Sequence, residues 1–356
     1  MAANNKRRIL ITGVCGASYG SQIAKSLSLL NTHYEIYGAD ASISVPNEAI
    51  ELSKLIELPK ASQKKYLDCL VETYKSNDID FVIEGSEAEQ YVLNNNREFL
   101  KKSGIKWISN NKKVIDICID KEKFARFLCS HNFDHPKIFS LTSIAELGKI
   151  TTYPIILKPK AQSSGSKNVY IAQCSEDIKC IIQLFKLEVK DFCFQEYMGT
   201  PSEEYTVGIL HNEEGTLIGS ATLNRDLTQS ISVASSVKNF TNREDLGSTL
   251  VISSGISQGT MMHRPDIEAY CCSIAEKLGS TGPLNFQGRM HNGKFYIFEI
   301  NPRFSGTSFM RAMSGFNEAD LWIKNLKYSN KLLPFYVAQK KYYKRVIQEI
   351  IERYDD

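Results

Sequence analysis

At 356 residues, of which 42% are apolar, the chain is long enough for two or three domains with ample material for their cores. A formal net charge of +3, from 43 basic and 40 acidic residues, offers no strong field for nucleic acid or an acidic membrane, and neither is expected as a partner. No run of about 18 apolar residues occurs, and the apolar stretch from Ile9 is broken at Thr12 and Gly13, so neither a spanning helix nor a signal segment is expected and the chain reads as cytoplasmic.

The first part of the chain, to about residue 108, alternates apolar strands with amphipathic helices. RRILITGV, YEIYGAD, DFVIEGS and IKWIS read as strands; Ser18 to Leu30, Ser62 to Ser76 and a stretch ending at Lys102 read as helices. This is the rhythm of an open parallel sheet. Inside it, G-V-C-G-A-S-Y-G at 13–20 follows a strand and opens a helix, with Asp40 at the end of the next strand. That context suits a dinucleotide, but the glycine spacing departs from G-x-G-x-x-G, and a tight turn with close helix packing explains the glycines as well. An NAD(P)-dependent oxidoreductase or epimerase is therefore kept as an alternative function.

From Asn110 the rhythm changes. One helix is expected over residues 112–132, then short strands (KIF, YPIILKP and NVYIAQ), a helix from Glu176 to Leu187, the strand FCFQEYM and a meander turning at Glu214-Gly215. Residues 224–262 are polar, with no sustained period, and read either as a mobile loop over a site or as a long insertion. A helix from Pro265 to Leu278, the strands LNFQGRM and KFYIFEI, a helix from Asn317 to Lys327 and an amphipathic helical tail complete the chain. Nine cysteines form neither a C-x-x-C pair nor a set with His at ligand spacing and read as reduced thiols.

The chemistry concentrates in a few places. In IFEINPRFSGTS, alternation on a strand throws Glu299, Asn301 and Arg303 onto one face, while Pro302 ends the ladder. A carboxylate and an amide oxygen are hard donors suited to Mg²⁺, and a guanidinium beside them suits a phosphoryl group. If LNFQGRM and KFYIFEI pair as a hairpin through His291-Asn292-Gly293, Gln287 lies near Glu299 and joins the metal set. Lys158 ends an apolar strand, and Ser163-Ser164-Gly165-Ser166 follows as a small-residue turn able to wrap phosphate oxygens, although such a turn also occurs in plain hairpins. Phe194 to Met198 can present backbone to an adenine edge, with Glu204 beyond it for the ribose.

Taken in order, D-K at 120–121, I-I-L-K-P at 155–159, S-S-G-S-K at 163–167, Q-E-Y-M at 195–198, E-E-Y-T-V at 203–207, G-P-L-N-F-Q at 282–287 and F-E-I-N-P-R at 298–303 resemble the ATP-grasp superfamily. The branch they look most like holds the carbamoyl-phosphate synthase large subunit, biotin carboxylase and stand-alone carboxylate-amine ligases. The resemblance implies an α/β chain, α+β in its catalytic half: a parallel-sheet preATP-grasp domain (1–109), a small lid (110–198), a larger antiparallel-sheet subdomain (199–330) and a C-terminal helical tail (331–356). It further implies that Lys121 and Lys158 bind the phosphates of ATP, the 163–166 turn closes over them, Glu196, Tyr197 and Met198 hold adenine, and Glu204 meets the ribose. Gln287, Glu299 and Asn301 would hold Mg²⁺, with Mn²⁺ as a substitute, while Arg303, Lys158 and Arg225 serve the transferred phosphoryl. The implied reaction activates a small-molecule carboxylate as an acyl-phosphate for attack by an amine, with an amino acid or amino-sugar derivative as substrate; a homodimer is left open. One departure stands out: where the branch commonly has Pro-Arg-x-Arg, this chain has Asn224-Arg225-Asp226-Leu227, so a second arginine is missing.

Overall fold

The computed structural model describes residues 6–16, 18–43, 50–160, 166–325 and 339–346. In the first part, four parallel strands lie in the order Lys54–Glu57, Tyr34–Asp40, Arg7–Thr12 and Phe81–Ile83, with Trp107 bridging to Val82 beyond the last. Side chains alternate between faces, so Ile9 and Ile11 enter one apolar cluster and Leu10 another, each fully buried. Two helices leave the C-terminal ends of these strands, Tyr19–Ser28 and Glu87–Asn95; Ser18 and Ser86 cap them by accepting from the backbone N–H of Ser21 and Glu89.

The glycines of the first turn have a packing reason. A Cβ at Gly20 would lie 2.2 Å from the Thr12 carbonyl oxygen, and one at Gly85 only 1.9 Å from it, so the two turns are pressed together. Asp40 accepts from the Cys15 backbone N–H at 2.9 Å and thereby ties the same turn to the next strand. These contacts account for the 13–20 motif without a dinucleotide.

A six-stranded antiparallel sheet forms the large half, in the order Lys294–Asn301, Pro283–His291, Glu204–His211, Leu217–Arg225, Gly259–Met262 and Lys341–Tyr343. The hairpin between its first two strands turns at Asn292 and Gly293, both at positive φ (48° and 77°), as a tight two-residue turn requires. Helix Pro265–Leu278 packs beneath it and ends at Gly279 in the left-handed region. A smaller antiparallel sheet, Ile138–Phe139, Phe192–Glu196, Ile155–Pro159 and Tyr170–Ala172, carries its own core with helix Ser175–Phe185.

Four expectations need correction. The helix expected over 112–132 is two, Lys112–Ile119 and Lys121–Ser130, because Asp120 takes an extended conformation and its carboxylate accepts from the N–H groups of Glu122 and Lys123. Both helices pack under the large sheet, with Val114, Cys118, Phe124 and Leu128 in its core, rather than with the small sheet to which 110–198 was assigned as a whole. Residues 224–262 are not an irregular loop: Val233–Lys238 and Thr249–Ser253 pair as a hairpin, which the alternation of half-buried and exposed side chains from Val233 to Lys238 reflects. Within the expected helical tail, residues Lys341–Tyr343 form an edge strand, where two adjacent tyrosines favour the extended backbone; residues 331–338 and 347–356 lie outside the described residues. No helix among the described residues is long and apolar enough to cross a membrane.

Candidate active site

The site is built around a phase slip in one strand. From Phe295 to Ile297 the odd-numbered residues face the core, yet further along it is Ile300 that is buried there. The change occurs at a bulge: Gly288 pairs with Ile297, whereas Gln287 pairs with Glu299, leaving Phe298 as the extra residue. Unbroken alternation would have sent Glu299 into the apolar core beside Phe295 and Ile297. With the bulge, Glu299 stands opposite Gln287 and Asn301 opposite Asn285, so four oxygen-bearing side chains occupy two adjacent cross-strand pairs. All four line one cleft of about 590 Å³, a size typical of small-molecule sites.

The bulge also places Lys158. Its Nζ donates to the carbonyl oxygen of Phe298 at 2.9 Å, from the end of the small sheet's Ile155–Pro159 strand across to the large sheet. Only 7% of Lys158 is exposed, and burial lowers its pKa to about 8. Lys121, at the start of its helix, lines the same cleft, and its charge also disfavours protonation of Lys158.

The opposite wall comes from the small sheet and the 233–253 hairpin. Glu196, Tyr197 and Met198 line it, and the Tyr197 hydroxyl accepts from the Val251 N–H at 2.8 Å, which holds the strand end to the hairpin. Arg243 on the hairpin pairs with Glu196 at 3.3 Å. Ser166 donates to the Ser253 carbonyl at 2.6 Å; Ser163, Ser164 and Gly165 lie outside the described residues.

Glu204 lines the cleft, while Arg225 differs from what the sequence suggested. Glu204 is fully buried and both its oxygens are engaged, Oε1 by Arg225 at 3.1 Å and Oε2 by Arg289 at 2.9 Å. Burial pushes its pKa up, but the two guanidinium groups outweigh this and hold it below the usual range. Arg225 does not reach the cleft wall: its other terminal nitrogen donates to the carbonyls of Ser254 and Ile256, anchoring the chain that leaves the hairpin. In a strand flanked by buried residues the guanidinium found its partners inward, so it is an anchor here rather than a group facing a phosphoryl.

Several residues of the site were not singled out from sequence. Arg289 continues the alternation Asn285, Gln287, Arg289 and reaches Glu204. Glu87 opens a helix at the C-terminal edge of the parallel sheet, where ligands commonly bind, and accepts from Arg303 Nη2 at 2.7 Å. The same guanidinium lies 4.2 Å over the Tyr19 ring. Gln90, almost fully buried, donates to the Pro302 carbonyl at 2.9 Å and so ties the first domain to the end of the Lys294–Asn301 strand.

The donor set fits a hard cation: the Glu299 carboxylate with the amide oxygens of Gln287 and Asn301, in a cleft with room for phosphates and with Lys158, Lys121 and Arg303 nearby, whereas the Asn285 oxygen is already taken by Arg311 at 2.6 Å and Thr206 at 2.8 Å. Among the described residues no group of three or more His, Cys, Asp and Glu side chains is placed so that it could hold a metal ion.

A family model described as "ATP-grasp in the biosynthetic pathway with Ter operon" matches residues 251–346, the stretch that carries the Lys294–Asn301 strand. The carbamoyl phosphate synthase large chain of Sulfolobus acidocaldarius is 23% identical over 343 residues, covering 90% of this chain but 29% of its own length, so the chain spans less than a third of that relative. An L-amino acid ligase from Bacillus licheniformis superposes with a TM-score of 0.62 at 13% identity, over 90% of this chain and 74% of that one. A D-alanine–D-alanine ligase from Bacillus anthracis, solved with ATP, gives 0.56 at 18% identity, over 90% and 96%. With its parallel first sheet, small antiparallel sheet and six-stranded large sheet closing on one cleft, this chain has the ATP-grasp fold.

Proposed function

We propose that the protein is an ATP- and Mg²⁺-dependent ligase that activates a small-molecule carboxylate as an acyl-phosphate and joins it to an amine, releasing ADP and phosphate. The observation that carries this reading is the pairing of Gln287 with Glu299 at the bulge, with Lys158 held against the Phe298 carbonyl in the same cleft. In this reading Gln287, Glu299 and Asn301 hold the metal, which when bound neutralises phosphate charge. Lys158 and Lys121 meet the phosphates, Ser166 belongs to the turn that covers them, and Glu196 to Met198 border the adenine.

A carboxylate oxygen of the substrate attacks the γ-phosphorus and ADP leaves; the amine nitrogen then attacks the acyl carbon, phosphate departs and the nitrogen loses a proton. Such transfer is driven by positioning and charge neutralisation, so cations and oxygen ligands matter more than a protein nucleophile. Arg303, oriented by Glu87 and stacked on Tyr19, faces the end of the cleft built by the first domain, where the carboxylate would sit. The likeness to amino acid ligases supports a carboxylate and an amine as the two substrates.

Incubation with ATP, Mg²⁺ and pooled carboxylic acids and amines is expected to release ADP and phosphate. AMP as the product would overturn the reading. Glu299→Ala is expected to abolish release while leaving the melting temperature within a few degrees, because the side chain is half-exposed at the cleft wall rather than packed in the core.

A further inference from the structure

A second cavity, of about 480 Å³, opens beside the cleft. Its walls are largely apolar and come from three places: Ala61 and Val92 of the first domain, Cys118 and Phe124 of the paired helices, and Phe298 with Pro302 of the metal strand. Burial raises the Cys118 thiol's pKa well above its ordinary value, so it presents a neutral surface. The two cavities adjoin: Glu87, Lys121, Phe298, Glu299 and Asn301 line both. None of the residues assigned to ATP requires this second space, and a substrate the size of glycine or acetate would leave it unfilled.

We propose that the second cavity binds the body of the carboxylate substrate, which is therefore an acid with an aryl or alkyl tail of several carbons, its carboxylate at the junction of the two cavities. The inference rests on the ligase reading and narrows its substrate. Apolar walls select an apolar body. The junction selects the charge: Lys121 stands there, and of its two carboxylates Glu87 is already paired with Arg303 at 2.7 Å and Glu299 is, in the ligase reading, taken by the metal, so neither is left for an incoming amine. Only a group at the junction lies beside the residues assigned to the phosphates, so an acid seated in this way presents its oxygen where a γ-phosphoryl would be transferred.

Calorimetric titration with 4-phenylbutyrate, octanoate and acetate, in the presence of Mg²⁺ and a non-hydrolysable ATP analogue, tests this. The first two are expected to bind at least tenfold more tightly than acetate. Ala61→Trp, which fills the rim, and Val92→Asp, which charges the wall, should each weaken 4-phenylbutyrate at least tenfold and leave the affinity for the ATP analogue within twofold, with thermal melts confirming that the variants are folded. Failure of both apolar acids to bind, or unchanged binding in both folded variants, overturns the proposal. ADP release with acetate or glycine but not with apolar acids keeps the ligase reading and sinks this one; apolar binding that Ala61→Trp removes, with no ADP release from any acid, keeps the pocket and sinks the ligase.

Discussion

Removing the Glu204 carboxylate should cost more stability than any other single loss of charge at this site. It is fully buried and serves two guanidinium groups that are themselves 2% and 5% exposed, through contacts of 3.1, 2.9 and 2.8 Å. The cluster carries a net charge of +1 as it stands, and Glu204→Ala would leave +2 on two guanidinium groups that are almost fully buried. Breaking a buried pair from one side costs about 3–5 kcal/mol, and because two partners are stranded here the upper half of that range is expected. Glu204→Gln keeps the shape and one acceptor oxygen, so about 3 kcal/mol is expected for it. The control is Glu35→Ala, whose partner Arg8 sits at the surface with the two side chains 34% and 38% exposed; water screens that pair, so its loss should be far smaller than that of Glu204. Urea unfolding followed by circular dichroism gives the three values side by side. A Glu204→Ala variant within about 1 kcal/mol of wild type would mean that the two arginines find other partners and would refute the electrostatic account of the cluster.

Lys158 has a folded pKa of about 8, below its ordinary value because of burial, so between there and the unfolded value the unfolded chain binds the extra proton and stability should rise with pH; phosphates favour the charged form, so nucleotide binding above about pH 8 should take up protons and weaken as pH rises further, which titration in buffers of differing ionisation enthalpy would reveal. No buffer dependence at pH 8.5 would count against the lysine as a phosphate ligand. Glu84, buried against Trp107 and Gln90, is pushed up to about 7 by desolvation, so its contribution to stability is full at low pH and lost as pH climbs through the range from the ordinary carboxylate value to 7; Glu84→Gln should flatten that loss by about 2–3 kcal/mol, measured as the difference in unfolding free energy between pH 5 and pH 8. Gly85→Ala should prevent the first domain from folding normally, since the added methyl meets backbone at 1.9 Å; an unchanged melting temperature would show that the two turns can part.

Much of this architecture was legible because its physics is local. The parallel first sheet followed from the alternation of apolar strands and amphipathic helices, and helix Pro265–Leu278 has the bounds that Pro at its start and Gly after its end announce. The pairing of the two strands as a hairpin through the Asn292-Gly293 turn was legible, but that turn's register alone would set Gln287 opposite Phe298, and it is the bulge that brings Glu299 there. What escaped depended on distant partners. Asp120 looked like one more polar residue on a helix face until its capping contacts split that helix in two. The 233–253 hairpin was obscured by serines, because its strands are half solvated and lack a strong apolar period. Arg225 was read by its neighbours in sequence, whereas Glu204, twenty-one residues away, and Arg289, whose own spacing was visible but not weighed, decide where its charge goes.

The extra residue at Phe298 acts as a phase shifter in the Lys294–Asn301 strand. On its turn side, odd positions are oily and even ones wet; beyond it the parity is reversed, and the reversal is what delivers Glu299 and Asn301 to the cleft. Length there is consequently tied to the bulge. Straightening the bulge with every residue retained would rotate the carboxylate inward and Ile300 outward in a single step, whereas deleting Phe298 would leave plain alternation with Glu299 still opposite Gln287. A chain that drifts in sequence around this strand can exchange many side chains, but the bulge and the extra residue have to be kept or lost together.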